Sequence, residues 1–384
     1  MRFSDFVTLQ RGFDLPKTEM QDGPFPVLGS TSVIGKHSEF KVEPPGVVTG
    51  RSGTLGVVQY VDERYWPHNT ALWVKDFKGN DPKFVYYCMQ GLDFARFNAG
   101  AGVPTLNRNH LDSLEVNVPP LPIQRRIAGI LSAYDELIEN SQRRIKILES
   151  MARALYREWF VHFRFPGHEN VKRVPSALGE IPKGWKVKKL AELCTRIESG
   201  GTPKRSNPAF WQAGEIDWYK TGELWDSFLF DSEERITSRG QSESTARLFE
   251  PGTILMAIYG SPTVGRLGLL TRQASCNQAA LGLVADDAVI SQTYLFFALF
   301  SLRDHFNSLA QGAAQQNISK EKVASALAVT PPRTIIQLFD RSSGPIFATI
   351  ERLQRQIRNL RRTRDLLLPR LLSGQIDAEQ RAHD

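Results

Sequence analysis

The chain has 384 residues, 41% of them apolar and 23% charged, and its 48 Lys and Arg against 41 Asp and Glu give a formal net charge of +7. That length suits two or three domains, and that composition excludes a disordered or collagen-like chain. No run of eighteen apolar residues marks a membrane span. The opening MRFSDFVTLQ lacks the basic-then-apolar pattern of a secretory leader, so the cytoplasm is the expected compartment.

In chain order, TLQRGFDLPK at 8–17 opens a globular part. GSTSVIGKH at 29–37 resembles a phosphate loop, but its glycine spacing is one too long and His37 stands where a magnesium-binding Ser or Thr belongs. PGVVTGRSGTLGVV at 45–58 and the run to Val61 read as two β-rich stretches around a Gly-containing loop. HNTALWV follows at 68–74. Asp81-Pro82 then starts a helix as cap and first-turn pair. LEVNV at 114–118 alternates as a strand does, and Pro119-Pro120 leads into a long helix. Residues 164–182, rich in Pro, Gly and charge, read as a linker.

The same order then recurs. GAGVPTLN at 100–107 and GAAQQNIS at 312–319 each precede a Pro-Pro pair, at Pro119-Pro120 and Pro331-Pro332, with a constant offset of 212 residues. TLQRGFDLPK faces TRIESGGTPK at 195–204, and PGVVTGRSGTLGVV faces PGTILMAIYGSPTVGRLGLL at 251–270. The chain therefore reads as two copies of one unit, a mixed α and β globular part followed by a long helix.

Heptad spacing carries the helices. Leu131, Ile138, Ile145, Ala152 and Trp159 interleave with Tyr134, Ser141, Leu148, Leu155 and His162 in the first copy. Ile350, Ile357, Arg364 and Leu371 interleave with Ile346, Leu353, Leu360 and Leu367 in the second. That is a coiled-coil seam, interrupted at Ser141, His162 and Arg364. Ser342-Ser343-Gly344-Pro345 is expected to break the second helix near its start. Residues 121–164 hold eight Lys or Arg against five Asp or Glu, and 333–374 hold nine against three, so these segments together carry +9 and the remainder −2. A polyanionic partner is suggested, although a solvated helix face has the same look.

Cys88, Cys194 and Cys276 stand far apart, without a Cys-x-x-Cys pair or a His cluster, and read as small core residues; neither zinc nor a disulfide framework is expected. The Pro-Pro pairs lack the flanking residues of a base-amino methyltransferase motif, and no hydrolase motif is present. Loosely spaced nuclease carboxylates leave no such signature.

PPLPIQRRIAGILSAYDELIENSQRRIKILESMARALYREWFVHF at 119–163 resembles the central conserved helix of specificity subunits of type I restriction–modification systems. IPKGWKVKKLAELCTRIESGGTPK at 181–204 is similar to the opening of a second target-recognition domain in that family, and LLLPRLLSGQI at 366–376 to its end. The first copy has no counterpart of IPKGW, so it is short at its start or trimmed. The resemblance implies an α+β architecture with two target-recognition domains, 1–118 and 183–330, each a mixed α/β unit. They would be joined by two long helices, 119–163 and 331–376, packed as an antiparallel coiled coil, with a linker at 164–182 and a tail at 377–384. It implies a non-catalytic subunit without a metal, each domain reading half of an asymmetric bipartite site in double-stranded DNA. Two methylation subunits would dock on the helices and restriction subunits would complete the complex. Those partners would carry S-adenosylmethionine, ATP and magnesium. From Ile346 to Leu371 the seam spans ~38 Å at about 1.5 Å per residue, close to the ~34–36 Å of one DNA turn.

Loops on a scaffold are where recognition resides. In the first domain the candidate DNA-binding residues are Lys17, Arg51, Ser52 and Thr54, with His68 and Asn69 as second choices. Arg pairs with guanine edges, Asn with adenine, and Ser or Thr with base or phosphate. In the second they are Lys204, Arg205, Tyr259, Ser261, Thr263 and Arg266. A Gly-rich hairpin around Arg51 and a solvated turn at Lys204-Arg205 are the competing readings. The Gly100–Asn107 stretch and its twin, with Thr105, Asn107, Gln315, Gln316 and Asn317, are expected to serve a shared structural role. For helix-seam packing the candidates are Ile138, Ile145, Leu148, Leu155, Ile350, Leu353, Ile357, Leu360 and Leu367.

Overall fold

A computed structural model describes residues 1–98, 104–260, 263–311 and 317–376. Two compact units divide the chain: Met1–Ser141 with Gln356 onward, and Gln142–Arg355.

In the first unit a four-stranded antiparallel sheet has the order Thr8–Arg11, Ala71–Asp76, Gly46–Gly50, Val58–Val61. Its β-branched central strand Gly46–Gly50 is buried along its whole length. Successive side chains leave a strand on opposite faces. Val47, Leu72 and Val74 accordingly join Phe84, Val85, Cys88 and Met89 of the helix Pro82–Gln90. Val48, Ala71 and Trp73 pack on the other face with Leu28 and Tyr65. Asp81 caps that helix, accepting from the Phe84 amide at 2.9 Å. A smaller sheet runs Val33–His37, Phe25–Leu28, Trp66–Pro67, with the first pairing antiparallel and the second parallel.

The second unit repeats this plan with an added strand. Its sheet order is Cys194–Ser199, Ala280–Ala285, Ile254–Ala257, Leu267–Leu270, then Ser227–Leu229 in parallel. The smaller sheet Glu234–Ile236, Ile216–Tyr219, Ala274–Cys276 has the same antiparallel and parallel pairings as its twin. Helix Gln292–Ser301, capped by Ser291, takes the place of Pro82–Gln90. The internal repeat read from 212-residue spacing is thus a repeat of topology.

Two long helices complete the chain: Leu121–Tyr156, closed by a π-helical turn Arg157–Val161, and Arg333–Ser373. Each unit pairs the start of one with the end of the other, so the packing is antiparallel. In the first unit Ile127, Ala128 and Leu131 share a cluster with Leu371. In the second Tyr156 meets Phe339 at 6.1 Å between ring centroids. Of the seam residues, Ile138, Ile145, Ile350, Leu353 and Ile357 are buried, and Leu148, Leu155, Leu360 and Leu367 are half-buried.

Three local expectations need correction. The second helix does not break at Ser342–Pro345. Ser343 Oγ donates to the Phe339 carbonyl at 2.8 Å and Thr349 Oγ1 to Pro345 at 2.7 Å. The buried Ile336, Phe339, Ser343 and Ile350 stripe holds the helix against the ~3 kcal/mol cost of an internal proline. Residues 114–118 form no ladder: Glu115 makes a single bridge with Arg2, whereas the second-copy counterpart Leu327–Thr330 pairs with Lys186–Lys189. Residues 164–182 contain a hairpin, Arg173–Ser176 with Gly179–Pro182, and bury Phe165 and Ile181. The hydrophobic anchors there are single residues, invisible amid Pro, Gly and charge.

Cys88 and Cys276 are buried and Cys194 is half-buried, and burial pushes all three thiols up to about 12. Their environment is that of core residues.

Candidate nucleic-acid interface

In the first unit the loop after the central strand is held by backbone groups. The Arg51 and Ser52 amides donate to the Thr70 carbonyl at 2.8 and 3.1 Å, and Leu106 N donates to the Arg51 carbonyl at 2.8 Å. Gly53 N donates to the Pro104 carbonyl at 2.9 Å, and Ser52 bridges Thr105. Ser30 Oγ donates to the Ser52 and Thr70 carbonyls at 2.6 and 3.0 Å. Four chain segments, at Ser30, Arg51–Gly53, Thr70 and Pro104–Leu106, therefore meet at one rim. Gly12 lies beneath it, and a Cβ there would stand 2.1 Å from the His68 carbonyl oxygen.

This rim borders a cleft of roughly 700 Å³ whose lining includes Gln10, Arg11, Asp14, Arg51, Asn107 and Arg108. Arg51 is half-buried, with Nη1 donating to the Asn69 carbonyl at 3.4 Å. Arg108 is exposed, with Nη1 donating to the Leu9 carbonyl at 3.4 Å. Arg11 donates to Asp14 at 2.8 Å, and Asn69 donates to the same carboxylate oxygen. His68 Nδ1 lies 3.0 Å from Thr70 Oγ1. Of the sequence candidates, Arg51 lines the cleft and Ser52 and Asn69 support it. Thr54 is exposed, and Lys17 is exposed on the short turn Lys17–Glu19; neither lines the cleft. Arg11, Asp14 and Arg108 were missed. They come from segments about a hundred positions apart and no motif joins them.

The second unit builds the same clasp. Tyr259 bridges Asn317, and Ile318 N donates to the Ile258 carbonyl at 2.9 Å as Leu106 does to Arg51. Gly200 approaches Cys276 as Gly12 approaches His68. The repeated stretch recurs because each unit closes its central-strand loop with it. Thr263 Oγ1 lies 2.8 Å from both the Tyr259 and Gly260 carbonyls, donating to them. Arg266 stacks over Trp225 at 4.6 Å. Trp225 is 68% exposed, Tyr259 41%. Asp226 fixes the Trp225 turn: it has φ +59°, accepts from Leu267 N at 2.9 Å and pairs with Arg303. Trp225 was also missed; a lone tryptophan in GELWDS has no periodicity to flag it.

Arg205 stacks over Trp211 at 3.9 Å and Trp218 at 4.7 Å and pairs with Glu234. That hydrogen bond holds the Glu234 carboxyl below its ordinary range. Its guanidinium is thus engaged within the fold, while Lys204 is exposed. Ser261, Gln315, Gln316, residues 100–103 and the 377–384 tail lie outside the described residues. GSTSVIGKH runs through a turn into the strand Val33–His37, so no helix N-terminus is there to receive a phosphate.

Duplicated topology with differing rims defines a protein built from two variants of one structural unit. The family described as type I restriction modification DNA specificity domain matches residues 1–150 and 182–337. The chain belongs to that family, the DNA specificity subunits of type I restriction–modification systems. The type I restriction enzyme MjaIX specificity subunit of Methanocaldococcus jannaschii is 26% identical over 308 residues, 78% of this chain and 70% of that one. The HindI specificity subunit of Haemophilus influenzae is 24% identical over 71% of each chain. The fold is similar to that of a type I restriction–modification S subunit from M. genitalium, with a TM-score of 0.65 at 15% identity over 97% of this chain and 95% of that one. None of the described helices is long and apolar enough to cross a membrane.

Proposed function

We propose that this chain is a non-catalytic cytoplasmic subunit in which each globular unit reads one half of an asymmetric bipartite DNA site. The observation that carries this reading is the pair of rims. Two units share one topology and one clasp, yet Arg51, Ser52 and Thr105 in one stand where Ile258, Tyr259 and Asn317 stand in the other. One scaffold with two side-chain sets supports two different half-sites.

On this reading the paired helices set the distance between half-sites and dock two methylation subunits. S-adenosylmethionine, ATP and magnesium belong to those methylation subunits and to restriction subunits. The target-recognition domains run over 1–118 and 183–330, with the helical spacers at 119–163 and 331–376. Arg51, Ser52, Asn69, Tyr259, Thr263 and Arg266 are the residues proposed to meet DNA, with Lys17, Thr54, His68 and Lys204 as outlying contacts.

The test is a genome-wide adenine-methylation map of cells expressing the chain with its methylation subunit, against cells lacking only this chain. A bipartite motif present only with the chain is expected. Its absence despite a stable complex refutes the reading.

A further inference from the structure

The cleft of the first unit carries three arginines, and the matched positions of the second unit carry one basic residue. The register matches Arg11 to Ser199, because Arg11 faces Leu72 and Ser199 faces Leu281 at the same place in the two sheets. The clasp matches Arg51 to Ile258, since each carbonyl accepts from the equivalent amide, Leu106 or Ile318. Two residues beyond those amides stand Arg108 and Lys320. Three arginines therefore become one lysine in the second unit. Arg11 and Arg108 are exposed at the cleft while Arg51 is half-buried. Each of Arg51 and Arg108 spends one guanidinium nitrogen on a long main-chain contact.

We propose that Arg11 and Arg108 form a phosphodiester-binding site for double-stranded DNA in the first unit, and that Asp14 occupies Arg11 until DNA arrives. This rests on the reading that the chain binds DNA and deepens it. The carboxylate of Asp14 gathers Arg11 and Asn69 at one oxygen, the geometry a phosphate oxygen would adopt. A carboxylate and a phosphate compete for the same guanidinium fork. Both partners of the Arg11–Asp14 pair are more than half exposed, so the exchange needs no unfolding. Arg51, deeper in the cleft, remains available for a base edge.

The test measures binding of the full chain, assembled with its methylation subunits, to a duplex carrying the mapped motif and to a scrambled duplex across a salt series. Arg11→Gln and Arg108→Gln are each expected to flatten the slope of log affinity against log salt by about 0.9. Both duplexes should weaken by the same factor, and Arg11→Lys and Arg108→Lys should retain the slope. Asp14→Asn is expected to tighten both duplexes equally, and that gain should vanish in the Arg11→Gln background. Unchanged slopes overturn the phosphate site, and an Asp14→Asn gain that persists without Arg11 overturns the latch. Failure of the wild-type complex to prefer its motif would instead strike the DNA reading itself.

Discussion

Arg364 of the second long helix and Asp135 of the first meet at 2.5 Å, and Tyr87 donates to the other Asp135 oxygen at 2.6 Å. Arg364, an interruption in the heptads, is thus a seam residue of another kind. The repeat sets Phe297, Phe347 and Ala152 at the matching places of the second unit, where Phe297 and Phe347 lie 5.3 Å apart. One unit solves the helix junction with a charge network, the other with aromatic packing.

Asp135→Ala leaves the Tyr87 hydroxyl and one face of Arg364 without their partner. A loss of about 1–3 kcal/mol is expected in urea unfolding. The triple change Tyr87→Phe, Asp135→Phe, Arg364→Ala imports the second unit's solution and should recover much of that loss, since apolar packing often replaces a partly buried ion pair. A triple variant less stable than Asp135→Ala alone would show that the two junctions are not interchangeable.

Arg51→Ala should lose about 1–3 kcal/mol of discrimination at one base pair of one half-site. The loop itself should persist, because its hydrogen bonds use the Arg51 main chain. Binding to duplexes substituted one base pair at a time gives the answer. Equal weakening on every duplex would assign Arg51 to the phosphates.

Glu234 is held below its ordinary value of 4.5 chiefly by the hydrogen bond from Arg205. A depressed carboxyl adds stability above its unfolded value, and that stability fades as pH falls through the folded one. Acidification below about pH 4.5 should therefore loosen the Arg205 stack on Trp211 and Trp218. Tryptophan fluorescence should report it, and Glu234→Gln should flatten the acid response.

Matched four-residue insertions near Ile145 and Ile357 lengthen both helices by ~6 Å. The gap between half-sites should widen while each half-site stays the same, as read from methylation maps. An unchanged gap with activity retained would refute the proposal that the helices set the half-site spacing.

The architecture was legible where a signal repeats. Ile138 through Ile357 keep their period for several heptads, and the twin Pro-Pro entries locate both helices. Single events misled. Ser-Ser-Gly-Pro breaks an isolated helix, but a continuous apolar stripe on both sides outweighed it. The Phe165 and Ile181 anchors are too sparse to mark a folded hairpin. At the candidate interface Arg51 was legible because a Gly-rich loop frames it. Arg11, Asp14 and Arg108 were not, because only the folded chain brings Gln10–Asp14 beside Thr105–Asn109. Arg205 looked available because nothing in the sequence places Glu234 and Trp211 around it.

The rim loops are tied chiefly through amides and carbonyls, in one unit at Arg51 and Leu106 and in the other at Ile258 and Ile318. Such bonds are indifferent to which side chain the residue carries. Exposed side chains along a rim, Tyr259 among them, can then be exchanged while the loop keeps its course, and the cost in folding stays near that of an ordinary surface substitution, within about 0.5 kcal/mol. On the proposed reading, a lineage can change what one unit recognises by point replacement, without first accumulating stabilising changes and without disturbing the other unit's target.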